Sequence, residues 1–192
     1  MKRILLGQIL LIICCIFYLV WWYRGYRPGI SVSRIGGVNG ALLFATAAFG
    51  VAGLICSLTR VQTRIEYKIS PMLIVIGGIA LYFALMLITR FAFRRIVTTE
   101  LFLIVGWIML EMTVINRLYA AEILTNGKFL FMCVVIALAF VVSIILYAAY
   151  YRMEEMRAFY AAMVPLITEA AAMAVLTVVM ITGRTWIFLG WK

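Results

Sequence analysis

The sequence contains no histidine and no aspartate, so all seven of its acidic residues are glutamates. These absences exclude several kinds of site at once. A serine–histidine dyad, a haem held by histidine and a zinc ion held by histidine all need a side chain that this chain lacks. We therefore predict no catalytic residue and expect that the protein is not an enzyme, although chemistry that needs no metal remains open.

Charged residues are also scarce, at 12% of the chain, whereas 67% of its residues are hydrophobic. Soluble domains are about one-quarter charged and about half apolar. A chain of 192 residues cannot bury so many apolar side chains in one core, because a folded domain of this size still exposes a large surface. The mean hydropathy of +1.15 agrees with this conclusion. We predict an all-α, polytopic membrane protein.

Six apolar runs each approach the roughly 20 residues that a helix needs to cross a bilayer. We predict one transmembrane domain over residues 1–192, a bundle of six helices with no soluble domain, packed through the small residues of the second, third and sixth spans. An Asn126-Gly127 turn precedes the fifth span, whose fully apolar sequence favours a place facing lipid or a second subunit. The predicted helices are residues 4–23, 40–58, 71–93, 101–121, 129–151 and 158–182.

The four cysteines lie within these apolar runs and form no C-x-x-C pair; they are Cys14, Cys15, Cys56 and Cys133. Cysteine at such positions is most often a small buried hydrophobe. Ligation of a metal would require the thiols to converge in space, which their spacing does not indicate. We predict no cofactor and no metal site.

Lysine and arginine determine membrane orientation through their excess in cytoplasmic loops. The predicted loops carry nine of these residues on one side and eight on the other, so the orientation stays undetermined. The net charge of +10 is spread over both faces, which favours anionic membrane lipids as partners and provides no concentrated basic face for nucleic acid. We expect a protein integral to a membrane, the plasma membrane of a prokaryote.

Glu111 lies at the midpoint of the fourth predicted span, where a charged side chain costs about 2.5 to 3.5 kcal/mol to insert. It must therefore face the bundle, carry a proton or have a partner. Glu100 and Glu122 lie eleven residues to either side and fall on the same helical face, with Trp107 one turn before Glu111. The three glutamates could form a polar pathway along the helix. Alternatively, only Glu111 is costly to insert, because Glu100 and Glu122 lie at the helix ends, where a carboxylate is easily accommodated.

Glu169 has a similar depth in the sixth span, one turn after Pro165. Proline cannot donate a hydrogen bond to the carbonyl of Ala161, so we predict a kink at this point. A kinked helix with a central acid is typical of ion and substrate sites in transporters. The same kink could instead serve packing alone, with Glu169 hydrogen-bonded to a neighbour.

The two midplane acids form the strongest candidate site in the sequence. We predict that Glu111 and Glu169 meet and either share one proton or bind a cation. Arg90 and Arg117 are alternative partners for the acids, although both lie near helix ends. The predicted ion, proton or substrate site consists of Glu111, Glu169, Asn116, Tyr119, Trp107 and Pro165.

The first loop combines Arg24, Arg27 and Arg34 with four glycines. Guanidinium groups and exposed backbone amides bind phosphate groups. We therefore predict that these arginines contact an anionic lipid headgroup. Ordinary interfacial charge is the alternative explanation for the same residues.

Three functions fit these patterns. We favour a small transporter or channel-like protein that moves a proton or a cation with its midplane glutamates. The alternative is a non-catalytic membrane subunit or scaffold, as a homo-oligomer or with a partner membrane subunit, whose buried acids only fix packing. An enzyme that modifies a lipid headgroup is a weaker alternative, and the sequence indicates no substrate.

Overall fold

The computed structural model describes residues 2–29, 36–59, 61–94 and 96–188, with side chains as far as Thr182. Within these residues the chain forms helices and turns and no strand. A π-helical turn, Ile88–Ala92, extends α3, and a 3-10 turn, Tyr150–Arg152, extends α5. The helices are α1 (Lys2–Tyr26), α2 (Gly37–Ser57), α3 (Pro71–Leu87), α4 (Thr99–Ala120), α5 (Asn126–Ala149), α6 (Glu155–Ala161) and α7 (Val164–Phe188).

The predicted all-α fold with six membrane-spanning helices is confirmed. Six helical segments of the described chain are long and apolar enough to cross a membrane, and α6 and α7 together supply the sixth. Most begin two or three residues earlier than predicted, because helical hydrogen bonds continue into the polar and aromatic residues that flank an apolar run. α1 runs from one face of the bundle to the other, and we name these the Lys2 face and the Tyr26 face.

The turn before α5 lies earlier in the chain than predicted. Asn126 and Gly127 open α5, and Thr125 caps this helix by accepting a hydrogen bond of 3.4 Å from the Lys128 N–H. The reversal instead uses Glu122, whose φ of 59° lies in the left-handed region. The threonine cap therefore decides where the helix starts, despite the local turn preference of Asn-Gly.

Four helices form the core of the bundle, and two flank it. α1 packs on α7, α7 on α5 and α5 on α4, whereas α2 lies mainly against α1 and α3 mainly against α4. As a consequence, α2 and α3 direct many large apolar side chains outward. The buried cluster that joins the central helices includes Ile4, Cys15, Val114, Leu118, Met132, Ile136, Met173 and Leu176.

Glycines allow the closest helix contacts, in line with the small residues noted in the second and third spans. A Cβ at Gly7 of α1 would lie 2.5 Å from the backbone nitrogen of Ser57 and 2.9 Å from the carbonyl oxygen of Gly53, both in α2. Gly78 of α3 lies in the same way against the side chain of Met109 in α4. Each flanking helix therefore makes its closest contact at a glycine, which has no side chain.

α5 is more central than its fully apolar sequence indicates. The sequence favours a place at the lipid or a second subunit, but one side of α5 packs against α4 and α7. That side buries Phe129, Met132, Ile136 and Tyr147. A helix that is apolar all round carries no pattern to show which side faces the core.

The sixth span is divided into two helices rather than kinked. α6 ends at Ala161, Ala162 and Met163 form a turn, and α7 begins at Val164. Pro165 is the second residue of α7, where the missing N–H costs no hydrogen bond within that helix. The proline instead limits the preceding helix, α6, which ends four residues before it. The position of this discontinuity was predicted from the sequence, but a kink was expected where the chain forms two separate helices.

Candidate functional site

Glu111 is buried in the bundle with a polar partner. Its side chain is 1% exposed, and its Oε1 accepts a hydrogen bond of 3.1 Å from Nε2 of Gln8, which is itself buried. Gln8 lies in α1 and Glu111 in α4, so this bond joins two central helices. Sequence reasoning missed the role of Gln8. The available signal was that Gln8 is the one amide or charged side chain within the first apolar run.

Glu169 lies in α7 and is 6% exposed. Its Oε1 is buried and has no hydrogen-bond partner among the described residues. Glu111 and Glu169 lie on α4 and α7, which contact each other, but the described part of the chain contains no hydrogen bond between their carboxyl groups. The structure therefore brings the two acids into one region, where Glu111 bonds to Gln8 and Glu169 keeps an acceptor available.

Glu169 lines two cavities. The smaller has a volume of about 60 Å³ and also includes Glu100, so it extends toward the Tyr26 face; this volume is enough for a few water molecules. The larger is a groove of about 590 Å³ with walls from α1, α2, α4 and α7, which we call the α2–α4 groove. Glu169 therefore lies between the two cavities.

A third cavity, of about 370 Å³, lies at the Tyr26 face beside Tyr26 itself. It shares Trp22, Tyr150 and Ala162 with the small cavity. The third cavity and the small cavity are therefore neighbours, with these three residues between them or at their common border. We call the third cavity the vestibule.

Glu100 lies in the first turn of α4 and lines the small cavity. Its Oε2 accepts a hydrogen bond of 2.8 Å from the Tyr150 hydroxyl and another of 3.3 Å from the Thr98 hydroxyl. A carboxyl group thus stands at each end of the small cavity, with Glu100 at the outer end and Glu169 at the inner end.

Trp107 and Pro165, both predicted for the site, each line a cavity that Glu169 also lines. Trp107 is 8% exposed and lines the α2–α4 groove, and its indole N–H has no acceptor within the described chain. Pro165 lines the small cavity one turn before Glu169. The region around Glu169 therefore contains a hydrogen-bond donor and an acceptor that the described residues leave available.

Asn116 and Tyr119, also predicted for the site, lie nearer the Lys2 face. Oδ1 of Asn116 accepts a hydrogen bond of 3.0 Å from the Ile69 N–H, and its Nδ2 donates one of 2.6 Å to the Ile69 carbonyl oxygen. The Tyr119 ring lies beneath the ammonium group of Lys68, 5.6 Å from the ring centre. The structure does not bring these two residues together with Glu169.

Asn116→Ala is expected to loosen residues 61–70 on the bundle while α4 stays folded. Both polar backbone groups of Ile69 lose their partner, at a cost of about 1 to 3 kcal/mol. Hydrogen–deuterium exchange in nanodiscs should be faster at Ile69 by about fivefold or more. Thr113→Ala is the control, because the Thr113 hydroxyl bonds within its own helix. Equal exchange in both variants would show that Asn116 does not hold this segment.

The acidic column predicted along α4 is interrupted. The helix ends at Ala120, and Glu122 lies beyond it, 3.7 Å from Arg64 in an exposed ion pair. Arg117, considered as a partner for the acids, donates instead to the Leu58 carbonyl oxygen at 2.6 Å. Glu122 therefore does not continue the helical face that Glu111 occupies.

The arginines of the first loop contact other residues of the protein where the structure describes them. Nε of Arg24 donates to Oδ1 of Asn39 at 3.1 Å, which links the end of α1 to the start of α2. The Arg27 guanidinium donates to the Tyr23 hydroxyl at 2.6 Å. Arg34 lies outside the described residues. Contact of these arginines with an anionic headgroup stays a prediction.

No family model, curated protein or solved structure matches the chain. The described residues contain no group of three or more cysteine or glutamate side chains placed to hold a metal ion. Function has to be inferred from the arrangement itself. That arrangement is one buried acid bonded to an amide and a second buried acid at the junction of two cavities.

Proposed function

We propose that this protein is a proton-linked membrane transporter in which Glu169 binds a proton and a cation in alternation. The position of one carboxyl group supports this most. Glu169 is buried, keeps an oxygen without a partner among the described residues, and lines both the small cavity and the α2–α4 groove. A carboxylate in such surroundings is costly unless it is protonated or paired with a cation. Since either state satisfies it, one residue can exchange the two.

Glu111 has a positioning role in this proposal. Its hydrogen bond to Gln8 holds α1 against α4, and these two helices supply much of the wall of the α2–α4 groove. Glu111 does not line the cavities described above. It therefore shapes the groove, and it is not the residue that exchanges the proton and the cation in this proposal.

The Tyr26 face is the source of protons in this proposal. The vestibule borders the small cavity, where the Tyr150 hydroxyl donates to Glu100. Hydroxyl groups, carboxyl groups and water relay protons over hydrogen-bond distances. The first turn of α7 also borders the small cavity through Pro165. Discontinuous helices that end beside a binding site are typical of transporters.

A non-catalytic subunit or scaffold is a second proposal. The Gln8–Glu111 bond fits a purely structural role, and the exposed apolar faces of α2 and α3 are suited to lipid, a second copy or a partner subunit. This proposal does not account for the available oxygen of Glu169 beside a groove. For either function we propose the plasma membrane of a prokaryote as the location, with anionic lipids as partners.

Infrared difference spectroscopy of the protein in nanodiscs tests the role of Glu169. When the buffer changes between acid and alkaline pH, the C=O band of a buried carboxyl group should appear and disappear, and heavy water should shift it. Glu169→Gln should remove one component of this band, and Glu111→Gln, which alters the other buried acid, should leave that component. Glu122→Gln, which alters an exposed carboxylate beyond the end of α4, is the control and should leave the whole band. A band that is identical in wild type and Glu169→Gln, or the absence of any titrating buried carboxyl group, would contradict the proposal.

A further inference from the structure

We propose that the α2–α4 groove binds a lipophilic organic cation, with the apolar body of the ligand between α2 and α4 and its positive centre beside the Glu169 carboxylate. This inference rests on the proposed function of Glu169 and adds the class of substrate. Its support comes from the size of the groove, the charge and aromatic residues in its walls, and the side on which it opens.

The volume and the lining of the groove suit an apolar molecule. About 590 Å³ falls within the range of about 300 to 1,000 Å³ that small-molecule sites occupy. Its walls include Leu11, Leu54, Leu110 and Met173. A small inorganic cation such as Mg²⁺ or Ca²⁺ needs about six oxygen ligands. The one hydroxyl in the α2 wall, that of Thr46, already donates to the Leu42 carbonyl oxygen at 2.9 Å.

When Glu169 is ionised, the residues that line the groove do not compensate its negative charge. Glu169 is the acid in its walls, and no lysine or arginine is among the described residues of the lining. A ligand therefore has to supply the positive charge. A neutral acyl chain would fill the same volume but leave the Glu169 oxygen without a partner, which is costly in a buried place.

Aromatic side chains add to the preference for an organic cation. Tyr18, Phe102 and Trp107 line the groove together with Glu169. The faces of aromatic rings attract cations, and quaternary ammonium groups are the best-known ligands of such surroundings. An organic cation is also weakly hydrated compared with a metal ion, so moving it into apolar walls costs less.

The groove opens sideways between α2 and α4. α2 lies mainly against α1, so its other flank does not close on α4. Leu43 of α2 with Phe102 and Leu103 of α4 line the groove and are also exposed at the surface of the bundle. These residues face the hydrocarbon of the bilayer. A ligand dissolved in the bilayer therefore reaches Glu169 laterally, while protons reach it from the Tyr26 face.

The two routes imply an exchange at one carboxyl group. An ionised Glu169 holds the cation by charge. When a proton from the small cavity neutralises the carboxylate, this attraction is lost and the cation leaves. One proton is therefore taken up for each cation released, and one is given off for each cation bound.

Equilibrium binding of radiolabelled tetraphenylphosphonium to the protein in nanodiscs tests the proposal. We expect saturable binding at alkaline pH that weakens by about tenfold or more in acid and in Glu169→Gln, equivalent to about 1.4 kcal/mol of binding free energy. Tetraphenylborate has nearly the same shape and the opposite charge, and it should show only the unsaturable partition of empty nanodiscs.

Two neighbouring alanines of α2 provide a matched pair that leaves Glu169 unchanged. Ala47 lines the groove, whereas Ala48 is also exposed but is not among the residues of the lining. Ala47→Phe should weaken tetraphenylphosphonium binding about tenfold by filling the groove, and Ala48→Phe should not. Equal binding in the two variants would overturn the assignment of the ligand to this groove.

The outcomes separate failure of this inference from failure of the proposed function. If the infrared band of Glu169 titrates but tetraphenylphosphonium binds no better than tetraphenylborate, the proposed substrate class is wrong. The proposed role of Glu169 as an acid that takes up and releases a proton is then unaffected. If Glu169 does not titrate, both proposals fail. Native mass spectrometry that finds an acyl lipid retained by wild type and Ala48→Phe but lost from Ala47→Phe would assign the groove to lipid and overturn the inference.

Discussion

Glu111→Leu is expected to destabilise the bundle by about 1 to 2 kcal/mol, whereas Glu111→Gln should leave its stability nearly unchanged. Leucine removes the acceptor for Nε2 of Gln8, which is buried and whose Oε1 already has no partner among the described residues. Glutamine keeps an oxygen at the same place and can accept the same hydrogen bond. The expected loss of stability therefore comes from the side-chain amide of Gln8, which would be buried without a hydrogen-bond partner.

Reversible unfolding in mixed micelles, read as the free energy of unfolding, measures this effect. A double-mutant cycle with Gln8→Leu isolates the pair, because two leucines would leave no polar group stranded and should recover part of the loss. Thr113→Val serves as a control on the same helix, since its hydroxyl bonds to the Met109 carbonyl within α4. Strictly additive losses at Gln8 and Glu111 would show that their hydrogen bond contributes nothing.

Gly7→Leu should detach α2 from α1, with a loss of about 1 to 3 kcal/mol or more in the free energy of unfolding. The added side chain meets the backbone of Ser57 and Gly53, which cannot move aside as the end of a flexible side chain can. Gly77→Leu is the matched control, because a Cβ at that position of α3 has nothing within 4 Å. It should be tolerated.

A thiol cross-link between α1 and α2 reports this detachment directly. Cys14 Sγ would lie 3.2 Å from a Cβ at Gly50, so Gly50→Cys should form a disulfide with Cys14 under a copper–phenanthroline oxidant. The other three cysteines are replaced by alanine beforehand. Gly7→Leu should abolish the cross-link and Gly77→Leu should not. A cross-link that survives Gly7→Leu would show that α2 stays docked.

The positions of Glu111 and Glu169 within the membrane could be predicted from the sequence because the depth of a residue follows from its distance along an apolar run. Their partners could not. Gln8 and Glu111 are 103 residues apart, and their contact depends on which helices become neighbours. Nothing in a single sequence with six apolar spans specifies that arrangement, since lipid-facing and core-facing sides are both apolar.

The groove was equally inaccessible to sequence reasoning, because a cavity is volume that side chains leave unfilled and has no motif. Asn116 illustrates a related difficulty: an amide toward the end of an apolar run suits a ligand as well as a backbone segment, and the structure assigns it to Ile69. The discontinuity near Pro165 could be predicted, because the cause is local to the residue itself.

The separation of Gln8 from Glu111 also has a consequence for biosynthesis. The ribosome delivers α1 and α2 together, and their glycine contacts can form as soon as both have entered the membrane. Gln8 must then wait for α4, and the acidic region is completed only after α7 has arrived with Glu169. Before that, Gln8 and Glu111 lack the partner and the burial that the finished bundle provides, and a polar group in that position is costly within a bilayer.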